Sequence, residues 1–188
     1  MQKVLFLILS FTISVTAKCQ LDKKTWLVGG SASYTNSKFN SGFLGASTNV
    51  EQYQFTISPA MGYFLIDKLC TGIVTSFQET GSRAQGTTIW SKYSNFNFGP
   101  FVRYYFLKKE KLVNIIAQSY YQFGAEGSTS GLNKSTLAFS AGPVLYFNSS
   151  VGLEFLISHL TYRYRNITVS DNKIQFSLGL QVHLQKDK

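Results

Sequence analysis

The chain has 188 residues, 44% of them hydrophobic and 15% aromatic but only 14% charged, where soluble domains carry roughly a quarter charged residues. No apolar run reaches the about 18 residues a transmembrane helix needs, so helical anchors do not account for the apolar surplus. The formal charge of +9 is not gathered into one stripe interleaved with aromatics, which excludes a nucleic-acid face.

Lys3, the apolar run from Val4 to Val15, and the small exit Thr16-Ala17 have the three-part order of a secretory signal peptide. Cleavage fits after Ala17 or after Gln20; we take residues 1–20 as signal and 21–188 as the mature domain, whose charge is then +7 once Lys3 and Lys18 leave. Cys19 follows Lys18, whereas a lipidated cysteine follows a small residue. Cys70 is then alone, which excludes a disulfide framework and suits a small wall-packing residue.

From Leu21 onward the pattern alternates with period 2, the mark of half-buried strands. Strand 1 sets Trp26, Val28, Ala32 and Tyr34 against Gly29, Ser31 and Ser33. Strand 2 sets Tyr53, Phe55, Ile57, Met61 and Tyr63 against Gln52, Gln54, Thr56 and Ser58. Strand 3 opposes Leu69, Ile73 and Phe77 to Cys70, Gly72 and Ser76. Strand 4 opposes Phe96, Phe98, Val102, Tyr104 and Phe106 to Asn95, Asn97, Gly99 and Arg103. Strand 5 follows the rule from Val113 to Phe123 except at Ile116 and Tyr120. Strand 6 runs Leu137, Phe139, Ala141, Leu145, Phe147; strand 7 runs Val151, Leu153, Phe155, Ile157; strand 8 alternates Ile174 through Leu184 with Gln175, Ser177, Gly179, Gln181 and His183.

The breaks after strands 2, 4 and 6 are short. Those after strands 1, 3, 5 and 7, about 36–50, 80–91, 126–133 and 163–172, are longer and rich in Gly, Ser, Thr and Asn. Short turns at one end and long loops at the other mark an eight-stranded antiparallel up-and-down transmembrane β-barrel. A soluble barrel would show the same period with the faces exchanged. Volume decides between them: an eight-stranded interior is only wide enough for ordinary side chains, so the aromatic face points outward and the Gly, Ser, Asn and Gln face inward. Arg103 and Glu154 are the inward charges within strands. Both stand a few residues from the short-turn end, so they are expected to pair across the lumen, because an unpaired buried charge is costly. Gln52, Gln54, Gln118, Gln122, Gln175 and Gln181 are expected to bond to one another as a plug.

The chain's three prolines, Pro59, Pro100 and Pro143, recur 41 and 43 residues apart, as in a repeated supersecondary unit. Each is followed by aromatics; Tyr63, Tyr104, Phe106 and Phe147, with Trp26, are expected to form an aromatic girdle at the membrane interface. Proline lacks the ladder N–H, so a bulge or a missing hydrogen bond is expected at each.

The stretches Ile57-Ser-Pro-Ala-Met-Gly-Tyr-Phe-Leu-Ile-Asp-Lys-Leu69, Phe98-Gly-Pro-Phe-Val-Arg-Tyr-Tyr-Phe106 and Val151-Gly-Leu-Glu154 resemble the outer-membrane β-barrel domain family common in Bacteroidota, often labelled porin-like and similar in size to OmpA- and OmpX-type barrels. The resemblance implies fold and an outer-membrane location more than an activity. The C-terminal stretch Ser177-Leu-Gly-Leu-Gln-Val-His-Leu184 resembles a barrel-assembly signal, carried by Ser177, Gly179, Val182 and Leu184, although Leu184 replaces the usual final aromatic. The implied partners are outer-membrane lipids, lipopolysaccharide and the assembly machinery, with an extracellular ligand unspecified and no nucleic acid.

No catalytic set stands out, and no cofactor or metal is expected. His159 and His183 lie far from any Cys or acidic cluster at ligand spacing. His159 beside Ser158 resembles part of an outer-membrane lipid A deacylase site, but Ser158 has the opposite parity and no acid shares that face. Asn166-Ile-Thr168 matches a glycosylation sequon, uninformative in a bacterial-type protein. Three functions follow in descending order: a structural or interaction barrel acting through extracellular loops with a filled lumen, a narrow pore for small solutes, and a lipid-modifying hydrolase.

Overall fold

The computed structural model describes residues 21–43, 46–108, 111–126, 134–164 and 167–184. The proposed signal segment with Cys19, the loop at 127–133, Asn166 of the sequon and the C-terminal residues 185–188 lie outside them. The described chain forms eight strands: β1 (Trp26–Phe43), β2 (Ala46–Ile66), β3 (Leu69–Ala84), β4 (Ser91–Tyr105), β5 (Val113–Glu126), β6 (Lys134–Tyr146), β7 (Val151–Tyr164) and β8 (Ile167–Leu184). Each pairs antiparallel with its neighbours in sequence, and β1 closes the barrel on β8 from Trp26↔Leu184 to Ala32↔Leu178. Along that ladder closure leaves no sheet edge, so the backbone polar groups are satisfied.

The wall is apolar outside and polar inside. In β4, Asn95, Asn97, Gly99, Phe101, Arg103 and Tyr105 are buried while Phe96, Phe98, Val102 and Tyr104 alternate with them and are exposed. Phe139 is 58% and Phe176 70% exposed, an inversion of ordinary globular burial. The two exceptions in β5 are inward: Ile116 is fully buried and Tyr120 packs against the buried clusters.

The strands run further than the sequence pattern suggests. Most of the break expected at 36–50 is β-ladder, with Asn36↔Tyr53 continuing to Phe43↔Ala46, and β3 and β8 likewise extend through residues 80–84 and 167–172. These segments are rich in Ser, Thr and Asn and contain no proline, so no missing N–H breaks the ladder. Lys38 and Arg83, which fall within the breaks expected at 36–50 and 80–91, are therefore strand residues. The turn between β2 and β3 is the pair Asp67-Lys68, where Lys68 takes the left-handed φ of 67°.

Each proline interrupts one ladder. Between Ile57↔Phe77 and Ala60↔Val74 the pairs at Ser58-Pro59 are missing; between Phe98↔Phe123 and Phe101↔Tyr120 those at Gly99-Pro100; between Ala141↔Ile157 and Val144↔Glu154 those at Gly142-Pro143. The register is the same on both sides of each gap, so the irregularity is a missing bond and no bulge. On the other side the prolines remain aligned with Gly30, Ile73 and Ile115, because a residue's N–H and C=O serve only one neighbour in an antiparallel ladder. The Thr75 hydroxyl donates to the Pro59 carbonyl at 3.4 Å. In β8, which has no proline, Gly179↔Glu154 is paired.

Candidate functional site

The lumen is layered along the barrel axis. At the end bearing the short turns, Leu21, Leu27, Phe64, Phe101, Tyr105, Ile116 and Val144 form a buried apolar cork that includes Cys70. Residues 21–25 fold beneath the barrel: the Lys68 N–H donates to the Leu21 carbonyl at 2.9 Å and the Lys24 N–H to that of Phe64 at 3.0 Å. His183 lies among the rings of Phe64, Tyr105 and Tyr146, with centroids 5.5, 5.9 and 5.8 Å away. A side chain at Gly62 would meet the Cys70 sulfur and the Phe101 ring, so the glycine gives the cork its room. Cys70 thus packs in the lumen.

Above the cork the structure brings Arg103 and Glu154 together. Arg103 Nη1 donates to Glu154 Oε2 at 2.8 Å and to Gln181 Oε1 at 2.8 Å, Nη2 donates to Glu154 Oε1 at 3.4 Å, and Nε donates to Gln118 Oε1 at 2.7 Å. The Tyr105 hydroxyl donates to Gln181 Oε1 at 2.8 Å, and Gln181 Nε2 to the Tyr146 hydroxyl at 3.1 Å. Both charges are almost fully buried, at 4% and 2% exposure; Arg103 stands on β4, Glu154 on β7 and Gln181 on β8, the strand opposite β4, so the network spans the lumen. Buried charge is tolerated only when paired and hydrogen-bonded, and that condition is met here.

Two small chambers, of about 30 and 20 Å³, follow among Ser58, Ser76, Gln122, Ser140 and Ser158. Gln122 bonds to Ser76 and to the Val74 carbonyl, and Ser140 to Ser158 at 2.8 Å. The expectation that the glutamines bond to one another fails. In each glutamine side-chain bond described the partner is an Arg, Tyr, Ser, Thr, Lys, Asn or backbone group, since neighbouring lumen positions offer ions and hydroxyls within closer reach. Beyond the chambers the lumen widens into a cup of about 300 Å³ lined by Gln52, Gln54, Gln78, Tyr93, Lys134, Tyr162, Asp171 and Lys173, with Thr35 and Ser37.

On the outer wall, Trp26 and Tyr63 pair across β1 and β2 with ring centroids 5.0 Å apart, and Tyr104 meets Phe106 at 5.1 Å. Phe147 is exposed just past β6. These five residues stand at the short-turn end. A second belt, which the sequence reading did not single out, contains Tyr34, Phe55, Phe77, Phe96 and Phe123. Phe77 and Phe96 touch at 4.9 Å, as do Tyr121 and Phe123. Eight strand residues separate Trp26 from Tyr34, roughly 20 Å along a tilted barrel axis, close to the height of an outer-membrane apolar band. Glu51 pairs with Lys38 at 2.8 Å and with Arg83 at 2.6 Å, and Lys92 approaches Glu79 at 4.0 Å. These charges cluster beside and beyond the second belt.

Of the C-terminal residues, Ser177 and Gly179 face the lumen, while Leu184 is exposed beside Trp26. A side chain at Gly179 would meet the Glu154 carboxyl group, so this glycine makes room for the ion pair. Ser158 and His159 lie on opposite faces, Ser158 buried in the lumen and His159 exposed outside. Among the described residues no three His, Cys, Asp or Glu side chains gather as a metal site. Tyr105, Tyr93, Lys134, Tyr162 and Lys173 are site residues the sequence reading missed. Their signal was parity: each continues the inward alternation of its strand, Tyr105 within an outward-looking aromatic run and the other four at strand ends bordering the expected loops.

A closed, all-antiparallel, eight-stranded barrel with aromatic belts outside and a polar, plugged lumen has the architecture of a transmembrane β-barrel. Solved structures share it. Neisserial surface protein A is 14% identical with a TM-score of 0.53, the alignment covering 84% of this chain and 96% of that one. The outer membrane protein OprG from Pseudomonas aeruginosa is 11% identical with a TM-score of 0.51, covering 89% of this chain and all of that one. At such identities the likeness is one of fold. No family model and no curated protein sequence matches the chain.

Proposed function

We propose that this chain is a small integral protein of a Gram-negative outer membrane, exported by residues 1–20, with its short turns in the periplasm and a structural or interaction role exercised at its outer end. The observation that carries the reading is the plug: an apolar cork surmounted by the Arg103–Glu154 network crosses the lumen, so the barrel is built to hold its interior closed. The two aromatic belts, with Trp26, Tyr63, Tyr104, Phe106 and Phe147 on the periplasmic side, suit membrane interfaces, and lipids and lipopolysaccharide are the partners such a wall requires. The resemblance of the proline motifs supports membership of the Bacteroidota barrel family. Ser177, Gly179, Val182 and Leu184 serve recognition by the assembly machinery, with Gly179 also accommodating Glu154.

The second reading, a narrow pore, draws on the wide outer cup. It requires the ion-pair network to move aside. A hydrolase reading is disfavoured by the opposite faces of Ser158 and His159. The test is twofold. The protein should sediment with outer-membrane fractions and migrate differently on gels before and after heating, and liposomes containing it should not swell in small sugars or amino acids beyond empty controls. Swelling would favour the pore; recovery in the soluble fraction would overturn the membrane reading.

A further inference from the structure

We propose that the upper part of the junction between β1 and β8 binds a single-chain amphiphile of the outer leaflet, with its acyl chain on the outer wall and its uncharged, hydroxyl-bearing head in the cup. The proposal rests on the reading of the chain as an outer-membrane barrel. The ladder that closes the wall is short. β1 and β8 pair from Trp26↔Leu184 to Ala32↔Leu178 and, among the described residues, no further. Yet β1 runs on along β2 to Phe43↔Ala46, and β8 runs along β7 from Tyr164↔Ile167. Above Ala32 and Leu178 the two strands therefore face each other as edges, whose N–H and C=O groups no strand of the wall answers. This seam starts at the level of Tyr34, in the second aromatic belt, where the apolar band of a membrane gives way to head groups.

Two hollows meet along the seam. At its foot, on the outer wall, an apolar groove of about 480 Å³ is lined by Tyr34, Pro143, Phe155, Ile157, Phe176 and Leu178. Higher up, Thr35 and Ser37 of β1 and Asp171 and Lys173 of β8 line the cup of about 300 Å³. Both volumes are in the range of ligand pockets. The two sets of residues follow one another along the same pair of strands, so groove and cup adjoin where the closing ladder is absent.

The groove lies on the lipid-facing wall, so an acyl chain is what covers it. The head is selected by hydrogen bonding, because the cup's cations are already engaged. Lys173 Nζ donates to Gln54 Oε1 at 2.9 Å, reaching over the seam from β8 to β2, and the Lys134 ammonium lies 4.5 Å from the centre of the Tyr162 ring. The cup adds the amides of Gln52 and Gln78 and the hydroxyls of Thr35, Ser37 and Tyr93, which offer donors and acceptors together, as the strand edges do. A hydroxyl-bearing head answers both. A plain alkane leaves them unpaired, which is costly away from water, and a free polyol leaves the groove uncovered.

Radiolabelled monolauroylglycerol titrated onto the full barrel in phosphatidylcholine nanodiscs, with empty nanodiscs as the baseline, tests this. We expect a saturable excess of about one molecule per barrel, displaced by unlabelled monolauroylglycerol and about tenfold or more weakly by dodecane or glycerol. Ser33→Cys combined with Ser177→Cys, at the positions next in register above the ladder, lets a disulfide staple the foot of the seam, and Cys70 is buried away from that exchange. The oxidised staple should weaken binding about tenfold or more, and reduction should restore it. Phe176→Ala, in the groove, should weaken it about tenfold, whereas Lys92→Gln, on β4, should leave it unchanged. The proposal is overturned by no saturable excess over empty nanodiscs, by dodecane competing as well as the monoacylglycerol, by binding indifferent to both the oxidised staple and Phe176→Ala, or by a second barrel joined through the seam in the amphiphile's place. Heat-dependent gel migration of the same preparation reads the membrane barrel itself and the folding of each variant, so failure of that reading and an empty seam are told apart.

Discussion

Arg103 and Glu154 hold each other where neither could stand alone. At 4% and 2% exposure each has lost nearly all its water, and the guanidinium is compensated by one carboxylate and two glutamine oxygens. Removing one member strands the other. Arg103→Ala should therefore destabilise the barrel by about 3–5 kcal/mol, while the paired change Arg103→Met with Glu154→Leu should cost far less, because an apolar pair of similar volume needs no compensation. Urea unfolding in lipid vesicles, followed by the fluorescence of Trp26 and Trp90, measures both. Equal losses for the single and double variants would mean that the pair acts through shape alone.

Two strands illustrate how residue-scale chemistry becomes strand-scale constraint. In β8, Gly179 sits opposite Glu154 of β7, where a methyl group would press on the carboxyl group. Gly179→Ala should destabilise by about 1–3 kcal/mol, the usual cost of overpacking, and most of that loss should vanish in a Glu154→Ala background. Persistence of the full loss there would mean that Gly179 acts elsewhere, for example in assembly. The strands' period and order could be read from alternation, and an interruption at Pro59, Pro100 and Pro143 from the missing N–H, though whether as a gap or a bulge only the register shows. Strand length could not. The Ser- and Asn-rich stretch at 36–50 looks like a loop by composition, and only its pairing across the hairpin makes it strand.

At the scale of the molecule, the described barrel is filled at its short-turn end and widens into a cup toward the other, with its apolar mass outside. The inversion was legible because an eight-stranded interior cannot hold that many aromatics. The charges of the plug were legible from the inward parity of Arg103 and Glu154. Tyr105, Lys134 and Tyr162 were not: Tyr105 is hidden within an aromatic run whose other members face out, and Lys134 and Tyr162 stand at strand ends bordering the expected loops. The closed lumen is the central claim, and single-channel recording in a planar bilayer tests it most directly. The intact protein should show no steady conductance, and Arg103→Ala combined with Glu154→Ala should raise the frequency of openings. Steady currents from the intact protein that change with substitutions at Arg103 or Gln181 would contradict it.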